Sequence, residues 1–409
     1  MRAVCCEARP PLTRNIALLT VAALLCVVGL WVSTAGAATW VVHPDGSGDA
    51  PTMQAAVDSA AVGDTVLVSP GIYTDLHEDT AGEYAAVVMK SGIVLRSAEG
   101  AAKTVIDVKS ASAARGIACR GCDSSTVVEG FTIQGGDTFT GAGLMVEGGA
   151  PVIRSNNILG AYGGFGAGMM VTGGAAPDIV GNIFDLNEAC CGPGGAIMVE
   201  QGSAPTISGN VFTRNTSFSG GAVALQHSGG VIEDNEFALN SATEGGALSV
   251  WSSDPVIRRN SFSGNHSSTG GGAVAFAFGG EAQFLDNVVF GNSADGNGGG
   301  IRIEGAAPTI TSTTIVDNVA GQGGGVLITS GAAPQFSRVI VASNRGSGGV
   351  YCEDMLSMPT FGCTNVFGNE GEQYGGHCAA PTGDAGHLSV APRFCAPDAA
   401  DYTLCADSP

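Results

Sequence analysis

The stretch GGAIMVEQGSAPTISGNVFTRN, residues Gly194 to Asn215, opens on paired glycines and closes on Phe-x-x-Asn, and the chain repeats this plan nine times between Gly141 and Asn369. The other openings stand at Gly141, Gly166, Gly220, Gly245, Gly271, Gly298, Gly323 and Ser347, 24 to 28 residues apart. A period of this length with no 3.6-residue pattern inside it is the mark of a β-solenoid. Each unit cannot bury its apolar face alone, so successive units must stack.

Within a unit the fourth and sixth positions are apolar: Leu144 and Val146, Ile197 and Val199, Val223 and Leu225, Leu248 and Val250, Ile301 and Ile303. A separation of two puts both on one face of a strand. A second apolar column follows at Ile153, Ile179, Ile207, Ile232, Ile257, Phe284, Ile310 and Phe336, and a third five residues later at Ile158, Phe184, Phe212, Phe237, Phe262, Val289, Ile315 and Val341. Three short strands per turn, each giving one or two inward residues, predict a triangular coil. Parallel stacking at about 4.8 Å makes ladders of equivalent side chains, and the crossover is expected to be right-handed. The fold class is thus all-β, a right-handed single-stranded parallel β-helix. Pro151, Pro177, Pro205, Pro255, Pro308 and Pro334 fall just before the second strand, where a missing amide proton does least damage.

Two asparagine columns complete the pattern. One runs Asn156, Asn182, Asn210, Asn235, Asn260 and Asn287; the other runs Asn187, Asn215, Asn240, Asn265, Asn292, Asn318, Asn344 and Asn369. Asparagine tolerates left-handed corners and can bond to its copy one coil away, so these columns read as structural ladders and not as sugar ligands. Asn215-Thr-Ser217 and Asn265-His-Ser267 fit a glycosylation pattern but belong to the same ladder.

Outside the repeats, residues 1–37 read as a secretory signal. Arg2, Arg9 and Arg14 precede the apolar run from Ile16 to Val32, and Ala35-Gly36-Ala37 offers small residues for cleavage. Residues 38–110 form a cap and the first coils, with a short helix starting after Thr52. Residues 111–370 hold the repeats, and 371–409 a cysteine-rich closing segment. The mature chain carries no further apolar span, so it is expected to be secreted or held at the cell surface. Nine mature cysteines in an exported chain predict disulfides and leave one unpaired, as in a chain that has lost a partner cysteine. Cys119-Arg-Gly-Cys122 reads as a loop with a local or longer-range disulfide, and His377, Cys378, His387, Cys395 and Cys405 read as disulfide partners and bystanders before zinc ligands. The net charge of −20 disfavours nucleic acid, anionic lipid and polyanionic substrates.

The solenoid resembles the right-handed parallel β-helix proteins of the pectin lyase-like superfamily over nearly the whole mature chain. Gly194-Gly-Ala-Ile197 with Phe212-x-x-Asn215 resembles the repeat of the chlamydial polymorphic outer membrane proteins, which implies an adhesin-like surface protein. Asp45-Gly-Ser-Gly-Asp49 with Pro51-Thr-Met-Gln-Ala-Ala56 looks like the opening of pectin methylesterases, yet the paired aspartates and arginine of that family's catalytic motifs have no counterpart here. Polygalacturonase motifs are represented only by fragments, Gly375-Gly-His-Cys378 and Arg302-Ile-Glu304.

Chemistry on such a coil belongs to outward side chains. The first strand presents Met145, Met170, Met198, Ala224, Ser249, Ala275, Arg302 and Leu327 beside Glu147, Thr172, Glu200, Gln226, Trp251, Ala277, Glu304 and Thr329. Glu147 and Glu200, two coils apart, would sit at about 9.6 Å and are candidates for a carboxylate pair, set against plain solvated positions. Trp251, with Gln226, Glu200 and Arg302, is a candidate binding face for a sugar. Asp45 and Asp49 are candidate calcium ligands, although a cap turn explains them equally, and no other cofactor is called for. Asp234, Arg259 and Asp286 fall at equivalent positions of three coils and read as a self-neutralising charge ladder. The expectation is a polysaccharide- or surface-ligand-binding protein, with a lyase or glycoside hydrolase as the alternative.

Overall fold

A computed structural model describes residues 36–78, 82–380, 386–397, 401–406 and 408. The signal segment lies almost wholly outside these residues. From Ala37 onward the chain forms one unit, a parallel solenoid whose strands line up in columns of 13, 13 and 12, with a fourth column of 7.

The quoted unit shows how one coil is built. Ile197–Val199 lies on the first face, Thr206–Ser208 on the second, Val211–Thr213 on the third and Thr216–Ser219 on the fourth. Each pairs in parallel with its equivalent one coil on, as in Ile207↔Ile232 and Phe212↔Phe237. The predicted apolar columns all point inward, with Val199, Ile207 and Phe212 fully buried. In the third column Phe184, Phe212, Phe237 and Phe262 stack with ring centroids 4.7–5.1 Å apart, the coil spacing itself.

The fourth face extends the expected three-strand coil. Its strands run from Asp137–Thr140 to Ser293–Ala294, after the second asparagine and before the glycine pair. Alternation here is short, with Ser217 and Ala242 inward between exposed or half-buried neighbours, too brief to stand out in the sequence.

The asparagine ladders stand as expected, with one correction. Asn240 Nδ2 donates to Asn265 Oδ1 at 3.0 Å and to the Phe212 carbonyl at 3.0 Å, and the same unit recurs down both columns. The left-handed residue is the one before each asparagine: Asp234, Arg259 and Leu239 have φ of 55°, 55° and 59°. That corner turns the next side chain inward, so the asparagine amide satisfies backbone groups the turn would leave buried and unpaired. Asn215 and Asn265 are fully buried, so neither can accept a glycan in the folded chain.

The two opening glycines do different work. The first takes positive φ, 62° at Gly245. The second has no room for a side chain, since a Cβ on Gly246 would sit 2.2 Å from the carbonyl oxygen of Gly272.

At the start, Thr39–Val42 pairs with Thr65–Val68, and Thr52 Oγ1 accepts from the Ala55 N–H at 3.1 Å to cap the helix Met53–Ser59. At the end, Tyr374–Gly376 still pairs with Val350–Cys352, and Cys352 is bridged to Cys378. Cys395–Cys405 and Cys190–Cys191 are also bridged. Cys119 and Cys122 depart from expectation. Both lie in the strand Ala114–Cys122, face the core and carry free thiols, as does exposed Cys363. With Cys378, Cys395 and Cys405 in disulfides and His387 Nδ1 2.9 Å from Thr364 Oγ1, the zinc alternative has no ligand set.

Candidate functional site

The two outward columns of the first face have opposite fates. Met145, Met170, Met198 and Ala224 are aligned as expected but buried, in a small apolar cluster apart from the main core. The fourth-face strand and its glycine turn fold over them. Ser219, at the end of a fourth-face strand, is 2.8 Å from Ser249 in this column.

The neighbouring column is only partly covered: Glu147 is exposed, Arg120, Glu200, Gln226, Trp251 and Glu304 are half-buried, and Thr172, Ala277 and Thr329 are buried. Register places Arg120, Glu147, Thr172, Glu200, Gln226, Trp251, Ala277, Glu304 and Thr329 in single file along the axis. Eight steps of about 4.8 Å give a track of nearly 40 Å. Polar members bond along it: Arg120 pairs with Glu147, Thr172 Oγ1 donates to Glu200 at 3.1 Å, and Thr329 Oγ1 donates to Glu353 at 2.7 Å. Beside it runs the corner where the chain turns to the second face. Gln201, His227, Ser252, Phe278 and Ser330 all have positive φ there.

Trp251 occupies the middle of this track, two steps from Glu200 and two from Glu304. Its indole stacks on Phe278, with ring centroids 4.2 Å apart and planes at 26°. Ala277 lies beside the pair and is 1% exposed, whereas Phe278 is 52% exposed. The two rings cover one face of each other, leaving Trp251 half-buried and the phenyl ring of Phe278 open to solvent.

Next to this pair Arg302 is held between two carboxylates, with Nη1 2.5 Å from Glu244 and Nη2 2.8 Å from Glu304. Glu244 comes from the fourth face and reaches across the buried column. Burial pushes its carboxyl above the ordinary 4.5, opposed by Arg302 and reinforced by Glu304.

The sequence candidates are therefore partly assembled. Gln226 and Trp251 are adjacent, and Glu200 and Arg302 flank them along the same face. Glu147 and Glu200 stand two steps apart as expected, but Glu147 is engaged by Arg120 and lies at the opposite end from Arg302. Glu244 and Phe278 were not singled out from the sequence. Glu244 depends on the unrecognised fourth strand, and Phe278 on a corner where any residue type is accepted. Arg259 bonds Asp234 at 2.7 and 2.8 Å and Glu233 at 2.8 Å, so the Asp234 step of the expected charge ladder forms, with Glu233 and not Asp286 as the second carboxylate.

Asp45 and Asp49 serve the cap. Asp45 Oδ1 accepts from Ser47 N and Oγ, which hold its carboxyl below the usual range, and Asp49 Oδ2 accepts from Val41 N at 2.8 Å. Among the described residues no cluster of three or more His, Cys, Asp or Glu side chains is placed to hold a metal ion.

Stacked parallel strands, asparagine ladders and a linear outward track define a β-helix protein. The family model described as right handed beta helix region matches residues 87–219 and 195–357, and the chain belongs to that family. Among solved structures it is similar to the A-module of the Azotobacter vinelandii mannuronan C-5 epimerase AlgE6, at 14% identity and a TM-score of 0.43, over 83% of this chain and 95% of that one. The AlgE4 A-module from the same organism gives 14% and 0.39 over the same shares. A mannuronic acid specific polysaccharide family 6 lyase from human gut microbiota gives 13% and 0.43, over 86% and 91%. These likenesses concern the fold. No curated protein matches the chain.

Proposed function

We propose that this chain is an exported protein that binds a neutral, extended polysaccharide along the track centred on Trp251. The observation that carries this reading is the stacked Trp251–Phe278 pair, half-buried at the indole and exposed at the phenyl, in the middle of a straight and mostly polar column. Aromatic rings take up the apolar face of a pyranose, and the neighbouring Gln226 and Glu200 supply hydrogen bonds to its hydroxyls. A coil rise of about 4.8 Å is close to one sugar unit, so an extended chain meets the same column at each step.

Charge selects the class of sugar. The track and its edge carry Glu147, Glu200, Glu304 and Glu353 against two arginines, each already paired with carboxylates. A polyuronate would meet repulsion with no free cation to offset it. Export is supported by the basic and apolar N-terminal segment and by three disulfides. No helix among the described residues is long and apolar enough to cross a membrane.

A second reading, hydrolysis of the bound glycan, is favoured by one observation: Glu244 is pushed toward its protonated form beside Glu304, as a proton donor beside a carboxylate would be. The test for both is retention of purified protein on immobilised neutral and uronate polysaccharides, with reducing ends followed in parallel. Trp251→Ala should weaken retention about tenfold on neutral chains. Equal retention of the variant, or preference for the uronates, would overturn the binding reading. Turnover abolished by Glu244→Gln would establish the second.

A further inference from the structure

The fourth face carries its own aromatic surface, separated from the Trp251 column by the buried column of the first face. Phe139 is 69% exposed, Phe218 58% and Tyr162 47%. Phe139 and Phe218 are central, outward residues of the strands Asp137–Thr140 and Thr216–Ser219, three coils apart, or about 14 Å. Tyr162 lies between them, in register with Asp137 and Glu188.

Glycines make room for the Phe139 ring and for that of half-buried Phe165, on the next coil. A Cβ on Gly164 would sit 2.8 Å from the Phe139 ring, and one on Gly192 would sit 2.6 Å from the Phe165 ring. Phe139 and Phe165 meet edge to face at 5.2 Å. Any side chain at Gly164 or Gly192 would lift its ring off the coil. The result is an aromatic surface in two parts, Phe139 with Tyr162 and Phe165 at one end and Phe218 at the other, with the bridged Cys190 and Cys191 in the coil between them.

We infer that this surface is a second carbohydrate-binding site, for a neutral β-linked hexopyranose chain lying along the axis. Two features select that occupant. The surrounding outward residues are hydroxyl-bearing or acidic, namely Thr140, Tyr162, Thr216, Asp137 and Glu188, which suits sugar hydroxyls and repels polyanions. Phe139, Phe218 and Tyr162, at about 200 Å² each and 69%, 58% and 47% exposed, offer roughly 350 Å², less than half of the ~800 Å² per partner that a stable dimer needs. The surface is sized for a short run of sugar rings.

The test is titration calorimetry of the full mature chain with β-1,4-linked hexasaccharides of glucose and of mannose, with sedimentation velocity alongside. Wild type should bind at two sites. Phe139→Ala with Phe218→Thr should remove one of them and leave the Trp251 site; Thr is the residue the chain itself uses at position 243, and circular dichroism checks the fold. Trp251→Ala should leave the fourth-face site, with its affinity changed less than twofold. A single site lost in Trp251→Ala, or no binding of either hexasaccharide, overturns the inference. So does self-association that Phe218→Thr abolishes. Binding lost only in the phenylalanine variants supports it and sinks the Trp251 reading instead.

Discussion

Truncation of Asn240 to alanine tests whether the asparagine ladders hold the coils together. Asn240 Oδ1 accepts from the backbone N–H and the side-chain amide of Asn215, both at 3.0 Å, while its Nδ2 donates to Phe212 O and Asn265 Oδ1. Alanine removes all four bonds and strands two donors of Asn215, which is fully buried. Each stranded buried donor costs about 1–3 kcal/mol, so the expected loss is about 4 kcal/mol. That is a large share of the ~5–15 kcal/mol typical of folded domains. Asn156, which begins its ladder, accepts only from Phe131 N and should cost about half as much. Asn157, its neighbour in sequence, is half-buried with one contact at 3.4 Å to Thr132, so Asn157→Ala should cost no more than about 0.5 kcal/mol. Urea unfolding followed by far-UV circular dichroism gives the differences from the midpoints. Equal values for Asn240→Ala and Asn157→Ala would refute the argument.

Gly246→Ala, whose Cβ would fall 2.2 Å from Gly272 O and 2.5 Å from His266 O, should cost more than about 3 kcal/mol, whereas Gly209→Ala, with open space around it at φ 61°, should cost only the ~1–2 kcal/mol of a left-handed alanine; the same unfolding assay separates them. Cys352→Ser should destabilise by about 3 kcal/mol and render the closing segment sensitive to limited proteolysis, since the bridge to Cys378 closes a loop with a sequence separation of 26. Glu244 ionises less readily folded than unfolded, so its contribution is present below about pH 4.5 and is lost as pH rises through its raised value. Stability measured against pH should therefore show Glu244→Gln gaining on wild type toward neutrality. Glu233, lowered chiefly by Arg258 and further by Arg259, has the opposite sign. Its contribution is present above the ordinary 4.5 and fades as pH falls, so Arg258→Gln should flatten the acid limb of the same profile.

Much of the fold was legible because each coil repeats its demands. Ile207, Phe212 and Asn215 occupy positions that recur in every unit, and a recurring position with one residue type declares its environment. The fourth face was illegible because its strands are two to five residues long and their outward positions vary from Phe218 to Thr243 to Ser268. The left-handed corners were misplaced by one residue because Asp234, Arg259 and Leu239 share no side-chain chemistry, only a backbone state. Cys119 and Cys122 read as a loop because a spacing of three breaks the alternation of a strand, whereas left-handed Gly121, with φ 61°, turns both inward within Ala114–Cys122.

The site shares that limitation for a physical reason. Inward positions are constrained by packing on every side, and the outward column under the fourth face is closed by Ser219, Glu244 and the glycine turns. Side chains of the outward column are not enclosed by the apolar core, so the coil accepts Arg120, Trp251, Ala277 or Glu304 in the same register. Where the scaffold imposes nothing, a departure carries information about something outside it. Ala277 is such a departure: a large side chain there would compete with Trp251 for the space beside Phe278. Ala277→Gln should therefore displace the indole from Phe278 and lower glycan retention as much as Trp251→Ala does, with no greater fall in the unfolding midpoint than that variant shows. A loss of stability with retention intact would show that the column belongs to the scaffold after all.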